Sequence, residues 1–205
     1  MTDLPTPFER FIQGILPENP VYRQLLGLCP TLAVTNGLKP ALTMAAAVGV
    51  VLLSANIIIS LIRHLLKPHL RIVVFTLTIA TFVTIVDRLL AAYMYQMSKT
   101  LGPYTPLIIV NCIIICRCEV CASRQNLLAA SADAVGQAIG FGLALIGIAV
   151  IREVLGTGMI AGFQIMPAAW PSWVIMVLPP GAFLTFGLLL ALVNWIDATR
   201  SNKKG

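Results

Sequence analysis

The chain has 205 residues, of which 58% are hydrophobic and only 11% are charged, and its formal net charge is +6. A soluble domain carries about 25% charged residues, so this composition excludes an ordinary water-soluble protein. The basic residues stand between apolar runs rather than in one patch, which indicates membrane topology and argues against a nucleic-acid partner. No nucleotide-binding loop and no Ser/His/Asp arrangement is visible, so the chain is expected to have no catalytic site of its own.

Residues 1–20 are predicted to form an amphipathic helix on the cytoplasmic surface. Residues 6–9 read as a capping box with proline at the first helical position. Apolar side chains then recur on one helical face, at Phe8, Phe11, Ile12 and Ile15. Such a helix packs either on its own protein or at the lipid interface, and the pattern fits both alternatives.

Four uncharged runs follow that are typical of membrane-crossing helices. They are residues 41–62, 72–86, 134–151 and 174–196. A bilayer core about 30 Å thick needs about 20 helical residues. The second run is short, and it spans the bilayer only if Asp87 and Arg88 lie near the far interface.

Two further runs, residues 24–38 and 100–116, are interrupted by glycine, proline and asparagine. Irregular backbone at membrane depth is tolerated only inside protein or beside a cavity, so both should lie at the centre of the bundle. Each broken run precedes two long ones. The sequence therefore predicts an all-α integral membrane protein with six transmembrane segments, arranged as two inverted three-segment repeats with broken first and fourth segments.

The predicted membrane domain covers residues 21–198, with repeat 1 at about 21–97 and repeat 2 at about 98–198, followed by a cytoplasmic basic tail at 199–205. A weak sequence echo accompanies the repeat, because Leu26-Gly27 in the first half resembles Leu101-Gly102 in the second.

Basic residues set the predicted orientation. With alternating sides, one side holds ten of them: Arg10, Arg23, Arg63, Lys67, Arg71, Arg117, Arg124, Arg200, Lys203 and Lys204. The other side holds four: Lys39, Arg88, Lys99 and Arg152. This bias predicts that both termini are cytoplasmic.

Cys29 and Cys112 stand in the two broken runs at similar predicted depth. Counting helical residues from Arg23 and Arg117 places them about 9 Å and about 8 Å from the cytoplasmic side. A single intramembrane cysteine is usually a small packing residue, and a disulfide is disfavoured in a reducing compartment. An iron–sulfur cluster needs four thiolates, so a partner chain would have to supply the other two.

Three more cysteines, Cys116, Cys118 and Cys121, match no zinc or ferredoxin spacing well and are interpreted as incidental reduced thiols, with a second metal site as the alternative. Asp87-Arg88 and Arg152-Glu153 are interpreted as self-neutralising interfacial pairs. The alternative for Asp87 is contact with a translocated cation.

Two other polar features receive structural interpretations. Asp133 is expected to cap the helix that follows Ser131. His64 and His69 lie in a basic loop, too far from Cys29 and Cys112 to be assumed as metal ligands.

Several motifs resemble the E subunit of the Rnf electron-transport complexes, a family related to the D subunit of the sodium-translocating NADH:quinone reductase. The likeness runs from about residue 19 to 197. It is carried by residues 19–21, 24–30, 33–35, 101–102, 106–108, 110–112, 117, 119, 152–153, 155–156, 158 and 178–183.

The resemblance implies a membrane subunit of an ion-translocating ferredoxin:NAD oxidoreductase in the bacterial inner membrane. It implies that Cys29 and Cys112 join two cysteines of the homologous A subunit around an intramembrane [2Fe–2S] cluster. Ferredoxin and NAD would be met only through other subunits. At positions 116, 118 and 121 the family usually has other residues, so no family role extends to these three cysteines.

Two hypotheses from other classes remain open: a secondary transporter with its own substrate site, and a purely structural membrane subunit. A transporter should gather polar groups at mid-membrane, where this chain has little beyond Asn36, Asn56 and Asn111.

The topology is directly testable. Reporter fusions at Gly205 and within residues 156–173 should lie on opposite sides of the membrane, with the Gly205 fusion cytoplasmic. Fusions that report the same side would contradict the six-segment prediction.

Overall fold

The computed structural model describes residues 11, 14, 18–64, 68–123, 125–160, 163–164 and 173–202. Most of the predicted amphipathic helix at 1–20, and the end of the basic tail, lie outside these residues. Among the described residues, four helices are long and apolar enough to cross a membrane. They are α2 (Leu38–Ile62), α3 (Arg71–Tyr93), α7 (Leu127–Thr157) and α9 (Pro179–Asn202). The predicted all-α, multi-pass membrane fold is confirmed.

The second broken run is a bent span. It consists of α4 (Tyr95–Leu101), a 3₁₀ turn (Gly102–Tyr104), α5 (Pro106–Ile109), α6 (Cys112–Arg117) and a π-helical turn (Cys118–Ala122). Its two halves, Tyr95–Tyr104 and Pro106–Ala122, meet at 60°. Pro103 and Pro106 lack an N–H group, which explains why the helix breaks here.

The first broken run contains only α1 (Leu28–Val34), which is too short to cross a membrane as a helix. Two hydrogen bonds nevertheless place the run alongside the second half of α7. The Asn19 side chain donates to the carbonyl of Gly140 at 3.0 Å, and the Leu38 N–H donates to Glu153 at 2.8 Å. Gly140 and Glu153 are 13 residues apart in α7, which corresponds to about 20 Å. This run therefore lies parallel to the second half of α7, and its crossing of the membrane as a sixth segment stays a prediction.

The core lies between α2 and α7, the second segments of the two repeats, which pack most extensively against each other. Val48, Leu52, Phe141 and Leu145 are fully buried in the core. By contrast, α3 and α9 expose most of their apolar side chains, as helices facing lipid do. The two broken runs pack near this core, as predicted.

Two short elements complete the described chain. After α7, β1 (Met159–Ile160) pairs antiparallel with β2 (Phe163–Gln164) in a small hairpin. A single turn, α8 (Val174–Val177), then precedes α9. The sequence does not predict the hairpin, because two-residue strands leave no periodic pattern.

Charged contacts link the ends of elements that are predicted to face the cytoplasm. Arg23, before α1, forms an ion pair with Asp197, near the end of α9. Arg117 is buried and lies 3.5 Å from Asp133, also buried. The prediction that Asp133 caps a helix is wrong, because α7 begins earlier, at Leu127, and places Asp133 on its inner face.

Candidate functional site

The structure brings the two broken runs into direct contact at the predicted cysteines. The backbone N–H of Gly27 donates to the Sγ atom of Cys112 at 2.9 Å. Cys29 follows two residues later, in the first turn of α1, and Cys112 is the first residue of α6. The start of α1 therefore contacts Cys112, and the prediction that Cys29 and Cys112 belong to one site stays a prediction.

Local sequence determines how each cysteine is presented. Gly27 precedes α1 in the left-handed conformation, with a φ of 72°, which turns the chain just before Cys29. Asn111 caps α6, since its side chain accepts a hydrogen bond from the N–H of Ile113 at 3.1 Å. Both cysteines therefore stand at a helix start whose backbone is fixed by its neighbours.

Both thiols are exposed on this chain, whereas Cys118 and Cys121 are fully buried. Within the described part of the chain, no three His, Cys, Asp or Glu side chains gather as a metal site would require. The donor set at Cys29 and Cys112 is thus two exposed cysteines. Such a pair fits half of a cluster that is completed by another protein chain.

The remaining cysteines are separated from this pair. The thiol of Cys118 lies 3.4 Å from the side-chain oxygen of the buried Asn56, in a contact that packs the π-helical turn against α2. Cys116 is half-buried and borders a different groove, of about 430 Å³, together with Arg71 and Glu119. Their interpretation as incidental thiols stays a prediction.

An open cavity of about 390 Å³ adjoins Cys29. Its polar lining includes Asn36, Tyr104 and Arg152. Arg152 is 2% exposed and donates to backbone carbonyls of two broken elements. The predicted pairing of Arg152 with Glu153 is wrong, because Glu153 turns instead to the N–H of Leu38 at the start of α2.

A second polar feature surrounds Asp87. Its carboxylate accepts a hydrogen bond from the Thr105 hydroxyl at 3.4 Å, and both groups line a cavity of about 10 Å³ together with Ser98. That volume is close to what one water molecule occupies. Arg88 is exposed, and no ion pair joins it to Asp87 in the described structure. The predicted Asp87–Arg88 pair is therefore wrong.

Comparison with known proteins identifies the family. A profile described as "Rnf-Nqr subunit, membrane protein" matches residues 7–190. The chain belongs to the Rnf-Nqr family of membrane subunits.

Similar proteins in the Rnf-Nqr family are named as E subunits. The chain is 46% identical to the E subunit of the Na(+)-translocating ferredoxin:NAD(+) oxidoreductase complex of Acetobacterium woodii, over 89% of this chain and 93% of that protein. It is 41% identical to the E subunit of the ion-translocating oxidoreductase complex of Rhodobacter capsulatus, over 91% and 82%. The E subunit of the same kind of complex in Methanosarcina acetivorans is 39% identical, over 97% and 95%. The resemblance to the E subunits seen in the sequence is confirmed.

The glycine before Cys29 gives a test of the site geometry. A Cβ atom added at Gly27 would lie 2.5 Å from the Ile113 side chain and 3.1 Å from Phe141, in a left-handed backbone. We expect Gly27→Ala to destabilise the chain by about 2 kcal/mol or more, measured as a lower apparent melting temperature.

Gly102→Ala is the matched control in the other repeat. Gly102 has a φ of −47° and open space around its Cβ position, so this replacement should be nearly neutral. Equal losses at the two glycines would contradict the assigned role of Gly27. The different conformations also show that the Leu-Gly echo in the sequence does not mark equivalent positions.

Proposed function

We propose that this chain is the E subunit of an ion-translocating ferredoxin:NAD oxidoreductase complex, and that Cys29 and Cys112 hold half of an intramembrane [2Fe–2S] cluster. The other two ligands come from a homologous partner, the A subunit. The proposal places the complex in a bacterial inner membrane with both termini of this chain in the cytoplasm. Ferredoxin and NAD bind other subunits.

The observation that carries this proposal is the hydrogen bond from Gly27 to the Cys112 sulfur, which joins the two broken runs and leaves both thiols exposed. When bound, the cluster would accept and release one electron at a time. Hydrogen bonds to sulfur and limited solvent access are among the factors that set its reduction potential. The chain's own part is to hold two thiolates at fixed positions in an apolar surrounding.

The alternative of a secondary transporter receives less support. The three asparagines that could form a substrate site serve separate local roles. Asn111 caps α6, Asn56 contacts Cys118, and Asn36 lines the cavity beside Cys29. A carrier would need these polar groups to converge on one substrate.

The cluster proposal is tested in the purified complex with single Cys29→Ser and Cys112→Ser variants. Each variant should lose the intramembrane cluster signal by EPR, the corresponding iron, and ferredoxin-to-NAD turnover, while flavins on other subunits stay bound. Association with the partner subunit should weaken, because the cluster would link the two chains.

Cys116→Ser is the matched control, since Cys116 lies one turn further along α6 and is partly exposed. It should retain the signal and turnover, as should the Cys118→Ser, Cys121→Ser double variant. A Cys29→Ser, Cys112→Ser double variant that keeps the cluster signal would show that these cysteines are not cluster ligands.

The proposed ion translocation assigns a role to Asp87. Asp87, Ser98 and Thr105 are the polar residues in the lining of a small, otherwise apolar cavity, and carboxylate and hydroxyl oxygens suit a small hard cation. An intramembrane carboxylate without an ion pair is a functional candidate by default. Contact between Asp87 and the translocated cation is therefore part of the proposal.

We expect Asp87→Asn to preserve iron content and the cluster signal but to lower ion uptake per NAD reduced in membrane vesicles. The change keeps the side-chain volume and removes the charge. Asp197→Asn, which alters the ion-paired carboxylate near the end of α9, should leave uptake per NAD reduced unchanged. Wild-type coupling in the Asp87 variant would exclude this residue from the ion path.

A further inference from the structure

The strongest unexplained feature outside the thiol pair is the hydrogen bonding of Arg152. All of its side-chain nitrogen atoms donate to neutral oxygen atoms. The acceptors are the carbonyls of Leu32, Met176, Val177 and Leu178 and the hydroxyl of Thr35, at distances of 2.8–3.4 Å. A guanidinium has five N–H donors, so these five bonds leave none for an additional ligand.

The acceptors belong to two places where a helix is interrupted. Leu32 and Thr35 lie at the end of α1, and residues 176–178 form the junction between α8 and α9. Carbonyl groups at the end of a helix lack intrahelical partners and carry partial negative charge. Arg152 satisfies both sets and thereby fixes α1, the helix that carries Cys29, against α7 and α9.

The positive charge of Arg152 is not neutralised by a carboxylate among the described residues, since its hydrogen-bond acceptors there are all neutral. Guanidinium does not lose its proton in proteins. The helix-end carbonyl groups stabilise this buried cation, and an anionic group near it would stabilise it further. The cavity that Arg152 lines also contains Cys29.

We infer that Arg152 is a positioning residue for the cluster site, which it serves in two ways. It holds α1 so that Cys29 stays in place, and its charge favours the reduced, more negative state of the group bound at Cys29 and Cys112. This inference rests on the proposed function. Reduction adds one electron from the donor protein and leaves the bonds of the chain unchanged.

The size of the electrostatic effect follows from the geometry. The Nη1 atom of Arg152 lies 3.4 Å from the Leu32 carbonyl, and Leu32 is about one helical turn from Cys29. The carbonyl groups of α1 point toward the end of the helix and away from Cys29, so the guanidinium is about 10 Å from Cys29. At an effective dielectric constant of about 20, a unit charge at that distance changes an equilibrium by more than about tenfold.

The other repeat offers a matched control. Arg63 stands 25 residues after Leu38, the first residue of α2, and Arg152 stands 25 residues after Leu127, the first residue of α7. The Arg63 guanidinium donates to the carbonyl of Gln125, just after the second broken run. Both arginines thus bond a carbonyl in the opposite repeat, but Arg63 does so once, in the loop before α7, and Gln125 lies 13 residues from Cys112.

The experiment compares R152Q, R152K and R63Q in the purified complex, with iron content and an EPR-monitored reductive titration with dithionite. R152Q should retain iron and shift the reduction equilibrium at least tenfold toward the oxidised state, about 59 mV for a one-electron couple. R152K keeps the charge and should stay near the wild-type potential. R63Q should also match the wild type.

Each result decides the inference. An iron-loaded R152Q complex with the wild-type potential overturns it. So does an R152K complex whose potential falls as far as that of R152Q, because hydrogen bonding rather than charge would then set the potential. If R152Q does not assemble, the same test is made against the wild type: an R152K potential lower by about 59 mV or more overturns the inference, and a wild-type potential supports it. Absence of any intramembrane cluster in the wild-type complex would refute the proposed function itself, which separates the two failures.

Discussion

Two interrupted helices cross this bundle, and an apolar environment requires that their free backbone groups find partners inside the protein. The chain meets this requirement with side chains from the opposite repeat. Arg152 bonds the carbonyls at the end of α1, and Glu153 accepts the N–H of Leu38 at the start of α2. Arg63 bonds the carbonyl of Gln125 after the second broken run. The packing of the long helices and the position of the cysteines both depend on these contacts.

The same constraint explains why the candidate site lies where it does. A helix that starts in the middle of a bundle exposes N–H groups, and the Gly27 N–H is satisfied by the sulfur of Cys112. The contact holds both runs together and leaves the thiols on an open surface. Two exposed cysteines are what the proposed function requires, since it assigns the other two ligands to a second chain.

The charged side chains inside this bundle have two kinds of surroundings: some are paired with an opposite charge, and others lie beside neutral groups. Arg117 and Asp133 are buried together at one end of the bundle, where they join α6 to α7. Arg152 lies near the other end of α7, where its hydrogen-bond acceptors are neutral. Asp87 lines a small, mostly apolar cavity together with Ser98 and Thr105. A paired charge anchors helices, whereas a charge without a counterion changes the electrostatic potential around it.

Ion pairs predicted between charged residues that are neighbours in the chain are wrong here for a physical reason. Asp87-Arg88 and Arg152-Glu153 look like local pairs, but successive residues of a helix point about 100° apart and reach different neighbours. Asp133 resembles a cap in the sequence, yet it lies beside Arg117 on another helix.

In this chain, sequence patterns within a single segment correctly predict the structure of that segment. Apolar runs, prolines and glycines predict the long helices, the two breaks and the all-α fold, because hydrophobic length and backbone chemistry act locally. Cys29 and Cys112 stand out because they lie in the two broken runs at similar depth, and the motifs around them indicate the Rnf-Nqr family, which the comparisons confirm. The sequence by itself determined the membrane fold and the two candidate cysteines. Only the tertiary structure decided which groups each charge contacts, because those partners lie on segments distant in the chain.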